Sequence, residues 1–206
     1  MFRRKCKIIF VRHGSTIYNE QGRLFDLDDY PPITQKGKDE MDNLAKWLAY
    51  KTPHVDRIYT SSALRAIQSA RILSKEYDLD YEVIDGMYDR KAGLWGGLTF
   101  EQIEEKYPEM LHKYHENPYE YWPDGGEPTQ ALRNRVEKIV EEIVANNEYK
   151  TVIVVTHEDV IQSVIASILG IPPENQGKIL IPTGSATQIN FYKNWSTLAY
   201  CAHVPQ

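Results

Sequence analysis

The chain has 206 residues, of which 42% are hydrophobic and 26% charged, a balance that suits one domain with a sizeable core and excludes a disordered or fibrous chain. Its formal net charge of −5 disfavours a nucleic-acid-binding surface, so any anion binding has to come from a local cluster. The longest apolar runs, such as residues 152–155, are far too short for a membrane span, and the basic start is followed by a stretch too short and too strand-like for a secretory signal. A cytoplasmic protein is expected, without membrane or nucleic-acid partners. The two cysteines, Cys6 and Cys201, lie in strand-like segments with no metal-ligating neighbour, which reads as reduced, packed thiols.

Residues 6–11 form a short apolar strand that runs into Arg12-His13-Gly14. A helix follows over residues 34–50, with Met41, Leu44, Ala45 and Leu48 on one face. Residues 57–60 read as a second strand, residues 63–77 as a helix carrying Leu64, Ile67, Ile72 and Leu73, and residues 81–84 as a third strand. From Asp85 to Gly126 the rhythm breaks: glycines and prolines alternate with Tyr88, Trp95, Tyr107, Tyr114, Tyr119, Tyr121 and Trp122, and Thr99 with Gln102 makes a capping box. Such an excursion from a compact sheet is commonly a lid or binding loop. A helix over 127–147, a strand over 152–156 and a helix over 159–169 stopped by Gly170 and Pro172-Pro173 complete the alternation. Residues 186–192 and 196–203 form a hairpin around Lys193-Asn194-Trp195, which closes one sheet edge and offers a surface for pairing in a homodimer. The expected fold class is α/β, a three-layer sandwich with a mostly parallel central sheet. It is read as a single domain over residues 1–206 in which residues 86–126 form a lid.

In a parallel sheet the strand C-termini share one edge, where ligands of open α/β sheets bind. There the sequence places Arg12 and His13 after the first strand, Ser61, Ser62 and Arg65 after the second, Asp85 and Asp89 after the third, and His157 after the fourth. Two arginines and one histidine suit a dianion, a second histidine suits attack on phosphorus, and a carboxylate suits protonation of a leaving oxygen. No GxxxxGK[ST] run is present, which removes a nucleotide P-loop.

Taken in order, the motifs resemble those of the histidine phosphatase superfamily, the phosphoglycerate-mutase-like proteins. The resemblance rests on Arg12-His13-Gly14-Ser15-Thr16 with Asn19, on Pro32-Ile33-Thr34 with Gly37, and on residues 61–70 around Arg65. It continues through Met87-Tyr88-Asp89 with Gly93-Leu94-Trp95-Gly96-Gly97, through Gly125-Gly126-Glu127 with Arg133, and through Val154-Val155-Thr156-His157. The resemblance implies a two-step reaction on a small-molecule phosphomonoester without metal or other cofactor. His13 would take the phosphoryl group and Asp89 would act as general acid and then base. Arg12, Arg65 and His157 would hold the phosphoryl oxygens, with Asn19 as a neutral donor and Ser15 as a further donor or a cap. The other nitrogen of His13 would donate to a backbone carbonyl. Two other functions stay open at this point: a cofactor-dependent phosphoglycerate mutase, with Arg90 and Lys91 as extra cations, and a phospholigand-binding regulatory domain with little catalysis.

Three departures from the family pattern bear on the site. Asp89 stands where Glu is usual, about 1.5 Å shorter in reach. Glu158-Asp159 follows the second histidine in place of Gly; both acids suit the N-terminus of the next helix, or Glu158 meets a cationic substrate group or assists proton transfer. Ser15 follows Gly14 where Glu or Gln is common, and Ser62 and Ser185 are open between site and structural roles. Trp95 and Tyr107 read as packing residues, whereas Tyr119, Tyr121 and Trp122 read as a pocket wall.

Overall fold

The computed structural model describes residues 3–205 apart from Leu27 and Asp29. Six strands form one sheet: β1 (Cys6–Arg12), β2 (Arg57–Thr60), β3 (Tyr81–Val83), β4 (Thr151–Thr156), β5 (Ala186–Phe191) and β6 (Ser196–His203), in the order β3-β2-β4-β1-β5-β6. The first four run parallel, and β5 and β6 are antiparallel, forming the hairpin that the sequence placed at the edge. Among the described residues no helix is long and apolar enough to cross a membrane.

Period-2 alternation divides each central strand between two cores. Ile8, Phe10, Val152 and Val154 pack against α6 (Thr129–Asn146) and α7 (Glu158–Leu169) through Leu132, Val136, Val140, Val160 and Ile161. Ile9, Val11, Ile153 and Val155 face the other way, onto Met41, Leu44 and Leu48 of α2 (Gln35–Lys51) and Ala66, Ala70 and Leu73 of α3 (Leu64–Tyr77). The sheet centre is thus covered on both faces, which explains why β4 is buried at every position. Helix and strand limits differ from the sequence expectations by one or two residues. β3 stops at Val83, although the Ile84 amide still donates to Thr60 O at 2.9 Å. α6 begins at Thr129 because Pro128 is its N-cap and Glu127 turns to Arg135. α7 begins at Glu158 because His157 is its extended N-cap.

Between β3 and α6 the chain forms α4 (Phe100–Lys106) and α5 (Pro108–Glu116), with the Thr99–Gln102 capping box at the head of α4. This stretch has its own small core of Ala92, Trp95, Ile103 and Leu111, ringed by Leu24, Leu98, Tyr107, Met110, Tyr114 and Trp122. Its two ends are stitched by the Ala92–Gly126 bridge. Gly126 is required there, since a Cβ would run into the Trp122 ring. A short four-residue helix, α1 (Ile17–Glu20), follows the β1 loop.

Candidate active site

Strand register builds the centre. Arg12 pairs with Thr156, so the next residues of β1 and β4, His13 and His157, emerge side by side with ring centroids 5.2 Å apart. The Ser61 amide donates to Val155 O at 3.0 Å, which brings the end of β2 to the same edge. Gly14 lets α2 close in: a Cβ there would run into the Gly37 carbonyl oxygen. Its amide donates to Ser69 Oγ at 3.0 Å.

His13 is 1% exposed. Its Nδ1 lies 2.9 Å from Gly14 O, and since a carbonyl only accepts, Nδ1 carries the proton. The lone pair is therefore on Nε2, which accepts from Arg65 Nε at 3.2 Å. Burial, then the neighbouring Arg65, His157 and Arg12, holds this imidazole well below its ordinary pKa and keeps it neutral. Arg65 is itself buried, and its guanidinium lies over the Phe25 ring at 3.9 Å. Its Nη2 donates to Asp89 Oδ2 at 3.2 Å. The carboxylate of Asp89 thus reaches the cluster despite its short side chain, and its Oδ1 accepts from the Arg90 amide at 3.0 Å.

His157 has its Nε2 2.8 Å from Ser61 Oγ. Ser61 Oγ accepts from the Ala63 amide at 3.2 Å and keeps a proton to give to Nε2, whereas a lone pair on Nδ1 would face the Asp89 carboxylate; the tautomer protonated on Nδ1 therefore suits both neighbours. That leaves a buried Nδ1–H without a hydrogen-bond partner, 3.5 Å from Asp89 Oδ2. Burial, then Arg65 and Arg12, keeps His157 neutral as well. It is a donor aimed into the site. His13, Asp89 and His157 each turn one ligating atom to within 4.8 Å of one another. Nε2 of His13 and Oδ2 of Asp89 both face the Arg65 guanidinium, so a fixed cation already answers the negative charge that would hold a metal ion.

Arg12 approaches from β1. Its Nη1 donates to Ile181 O at 2.5 Å and pairs with Glu158 Oε2 at 2.7 Å, while its buried Nε has no partner. Asp159 pairs with Arg90 Nε at 3.0 Å, and Arg90 Nη1 donates to Thr129 Oγ1 at 3.0 Å. Glu158 and Asp159 therefore do sit in the first turn of α7, where carboxylates favour the helix dipole, but their oxygens go to two arginines of the site. Burial pushes the Glu158 carboxyl up, opposed by Arg12.

Above this centre a cavity of about 410 Å³ is lined by Arg12, Asn19, Asp89, Glu158 and Asp159 on its polar side and by Phe25, Phe100, Tyr114 and Trp122 on its aromatic side. Asn19 Oδ1 is committed to capping Thr16, at 3.1 Å from its amide and 2.9 Å from its hydroxyl. Ser15 is buried beside the site, outside this lining: its amide donates to Glu40 Oε2 at 2.9 Å, and its hydroxyl meets Thr183 Oγ1 at 3.4 Å. Ser62 and Asp85 are exposed, and Ser185 donates to Pro182 O at 2.6 Å. Of the three aromatics expected as a wall, Trp122 lines the cavity. Tyr119 lines a separate one against α6 and α7, and Tyr121 lines neither. Trp95 is fully buried, a packing residue as expected. Phe25 was not singled out by the sequence, and no periodicity marks it. The part Ser61 plays beneath His157 was likewise unread, though its place after β2 was the available signal.

The family model for the histidine phosphatase superfamily (branch 1) matches residues 8–202. Phosphoserine phosphatase 1 of Hydrogenobacter thermophilus is 31% identical over 165 residues, 80% of this chain and 77% of that protein. The 2-carboxy-D-arabinitol-1-phosphatase of Triticum aestivum is 28% identical over 191 residues, and those cover 90% of this chain but only 37% of that longer protein. The solved structure of Bacillus stearothermophilus YhfR superposes with a TM-score of 0.88 at 26% identity, covering 97% of this chain and 98% of that one. Sequence match and fold agree: the chain belongs to branch 1 of the histidine phosphatase superfamily and is a phosphoric monoester hydrolase.

Proposed function

We propose that the protein is a metal-independent phosphomonoesterase that hydrolyses a small phosphorylated metabolite through a phosphohistidine. One observation carries this reading: the tautomer of His13 leaves Nε2 unprotonated and directed at the Arg65 guanidinium, 3.2 Å away, where a phosphoryl group can be held. Nε2 attacks phosphorus, the bond to the leaving oxygen breaks, and that oxygen takes its proton from Asp89. Asp89 then takes a proton from the water that cleaves the P–N bond, which returns His13 and releases phosphate. Arg65, the free Nε of Arg12 and the Nδ1–H of His157 supply donors for the phosphoryl oxygens, with Asn19 at the cavity edge.

Residues 86–126 are the lid of this single-domain enzyme, and Tyr114 and Trp122 face the leaving group. The cavity volume suits a small organic alcohol, and relatives named for phosphoserine and 2-carboxy-D-arabinitol 1-phosphate support that class. The two unpaired cysteines accord with a cytoplasmic enzyme. The β6 edge strand is the surface through which a homodimer would form.

The test is hydrolysis of p-nitrophenyl phosphate in EDTA, with and without vanadate, combined with trapping of the phosphoenzyme. Turnover that survives EDTA, falls with vanadate and vanishes together with an acid-labile phosphoprotein in His13→Ala is expected. Unchanged turnover in His13→Ala would overturn the reading. Interconversion of phosphoglycerates that depends on a bisphosphate primer would replace it with a mutase.

A further inference from the structure

Each of the three reactive residues has an ion-paired group beside it in the sequence. Arg12 precedes His13, Arg90 follows Asp89, and Glu158-Asp159 follows His157. In the structure these neighbours close on one another: Glu158 pairs with Arg12 at 2.7 Å and Asp159 with Arg90 at 3.0 Å. The first turn of α7 therefore ties the ends of β1 and β4 to the segment after β3.

The two pairs serve different sides of the site. Glu158 and Ile181 O together hold Nη1 of Arg12 and leave its buried Nε without a partner. Glu158 is steadied from behind by Gln162, whose amide is pinned to Ile179 O at 2.7 Å and lies 3.4 Å from Glu158 Oε1. Asp159 holds a guanidinium that reaches Thr129 Oγ1 and lies over the Trp122 ring at 4.5 Å. The main-chain amide of the same Arg90 donates to Asp89 Oδ1 at 3.0 Å.

We propose that Glu158 and Asp159 are positioning residues, Glu158 for Arg12 on the phosphate side and Asp159 for Arg90, and through its amide Asp89, on the leaving-group side. The inference rests on the phosphatase reading above. It runs against simple electrostatics, which gives it a decisive sign. A carboxylate beside a phosphate site repels the anion, so by Coulomb's law alone its neutralisation tightens anion binding. If Glu158 instead aims Arg12, its neutralisation loosens anion binding. A part played only in the helix dipole moves neither kinetic quantity.

The experiment compares wild type with Glu158→Gln and Asp159→Asn, using inhibition by vanadate and turnover of p-nitrophenyl phosphate and phenyl phosphate. Glu158→Gln is expected to weaken vanadate inhibition about tenfold, as the loss of a charge-assisted contact does, with both esters affected alike. In an Arg12→Lys background the same change adds little, because the two residues act as one unit. Asp159→Asn is expected to keep vanadate inhibition within about twofold. It lowers kcat on phenyl phosphate about tenfold more than on p-nitrophenyl phosphate, whose better leaving group needs less proton donation. Vanadate inhibition unchanged or tightened in Glu158→Gln, or equal loss on both esters in Asp159→Asn, overturns the proposal. Vanadate insensitivity of the wild type instead overturns the proposed phosphohistidine reading itself. Should Glu158→Gln fail to fold, Glu158→Asp gives the same comparison: it keeps the charge and shortens the reach.

Discussion

The floor of the site and its wall belong to different cores. His13, Ser61 and His157 leave the ends of three adjacent strands whose apolar residues fill the two large clusters on the sheet faces. Trp122 and Tyr114 belong to the small cluster around Trp95, between β3 and α6. The floor is held by backbone register, so its geometry follows from the sheet. The wall is held by a few aromatic contacts, with Trp95 5.5 Å from both Tyr114 and Trp122. On the proposed function, chemistry and recognition sit on elements that can change independently, an arrangement suited to a fold that carries many related activities.

Four changes probe that division, from the largest effect down. Asp89→Asn removes the proposed proton donor and is expected to lower kcat on poor leaving groups by about 10²–10⁴-fold, with the melting temperature little changed; kinetics on phenyl phosphate check it. Trp95→Ala empties the centre of the wall's core and is expected to cost about 3–5 kcal/mol there. Hydrogen exchange should then quicken over residues 92–122 while the amides of β1 and β4 stay protected. Equal loss of protection in both regions would show that wall and floor unfold together.

The third change is in pH. Both site histidines have folded pKa values depressed by burial and neighbouring cations, so the unfolded chain takes up protons first as pH falls below the ordinary imidazole range. Their contribution to stability is complete above that range and is lost on acidification, by about 1.4 kcal/mol per pH unit for each imidazole until the folded value is reached. Chemical denaturation from pH 7.5 downward measures this, and His157→Gln should reduce the slope. The smallest effect is expected from Trp122→Ala: KM shifts by about tenfold or less and differently between esters, with vanadate inhibition retained. A uniform shift on every ester would remove Trp122 from leaving-group recognition.

Much of the floor was legible in the sequence because it depends on short-range rules. Strands of alternating exposure to two cores, a parallel order and residues just past strand ends place His13 and His157 together, and one helical turn after β2 delivers Arg65. The wall was less legible, because Tyr119, Tyr121 and Trp122 lie in a stretch without periodicity and differ only in where distant chain meets them. The same limit hid Phe25, whose role exists only once Arg65 lies over its ring. Glu158 and Asp159 were visible as acids at a helix start, but their partners come from Arg12 and Arg90, 146 and 69 positions away along the chain.

The two histidines are steadied by unlike partners. Ser61 Oγ beneath His157 is a side chain, and a single codon change removes it. The partner of His13 Nδ1 is the main-chain carbonyl of Gly14, a group that no side-chain substitution removes. A lineage can therefore retune the second imidazole by ordinary substitution, while the protonation pattern of the first is inherited with the path of the backbone.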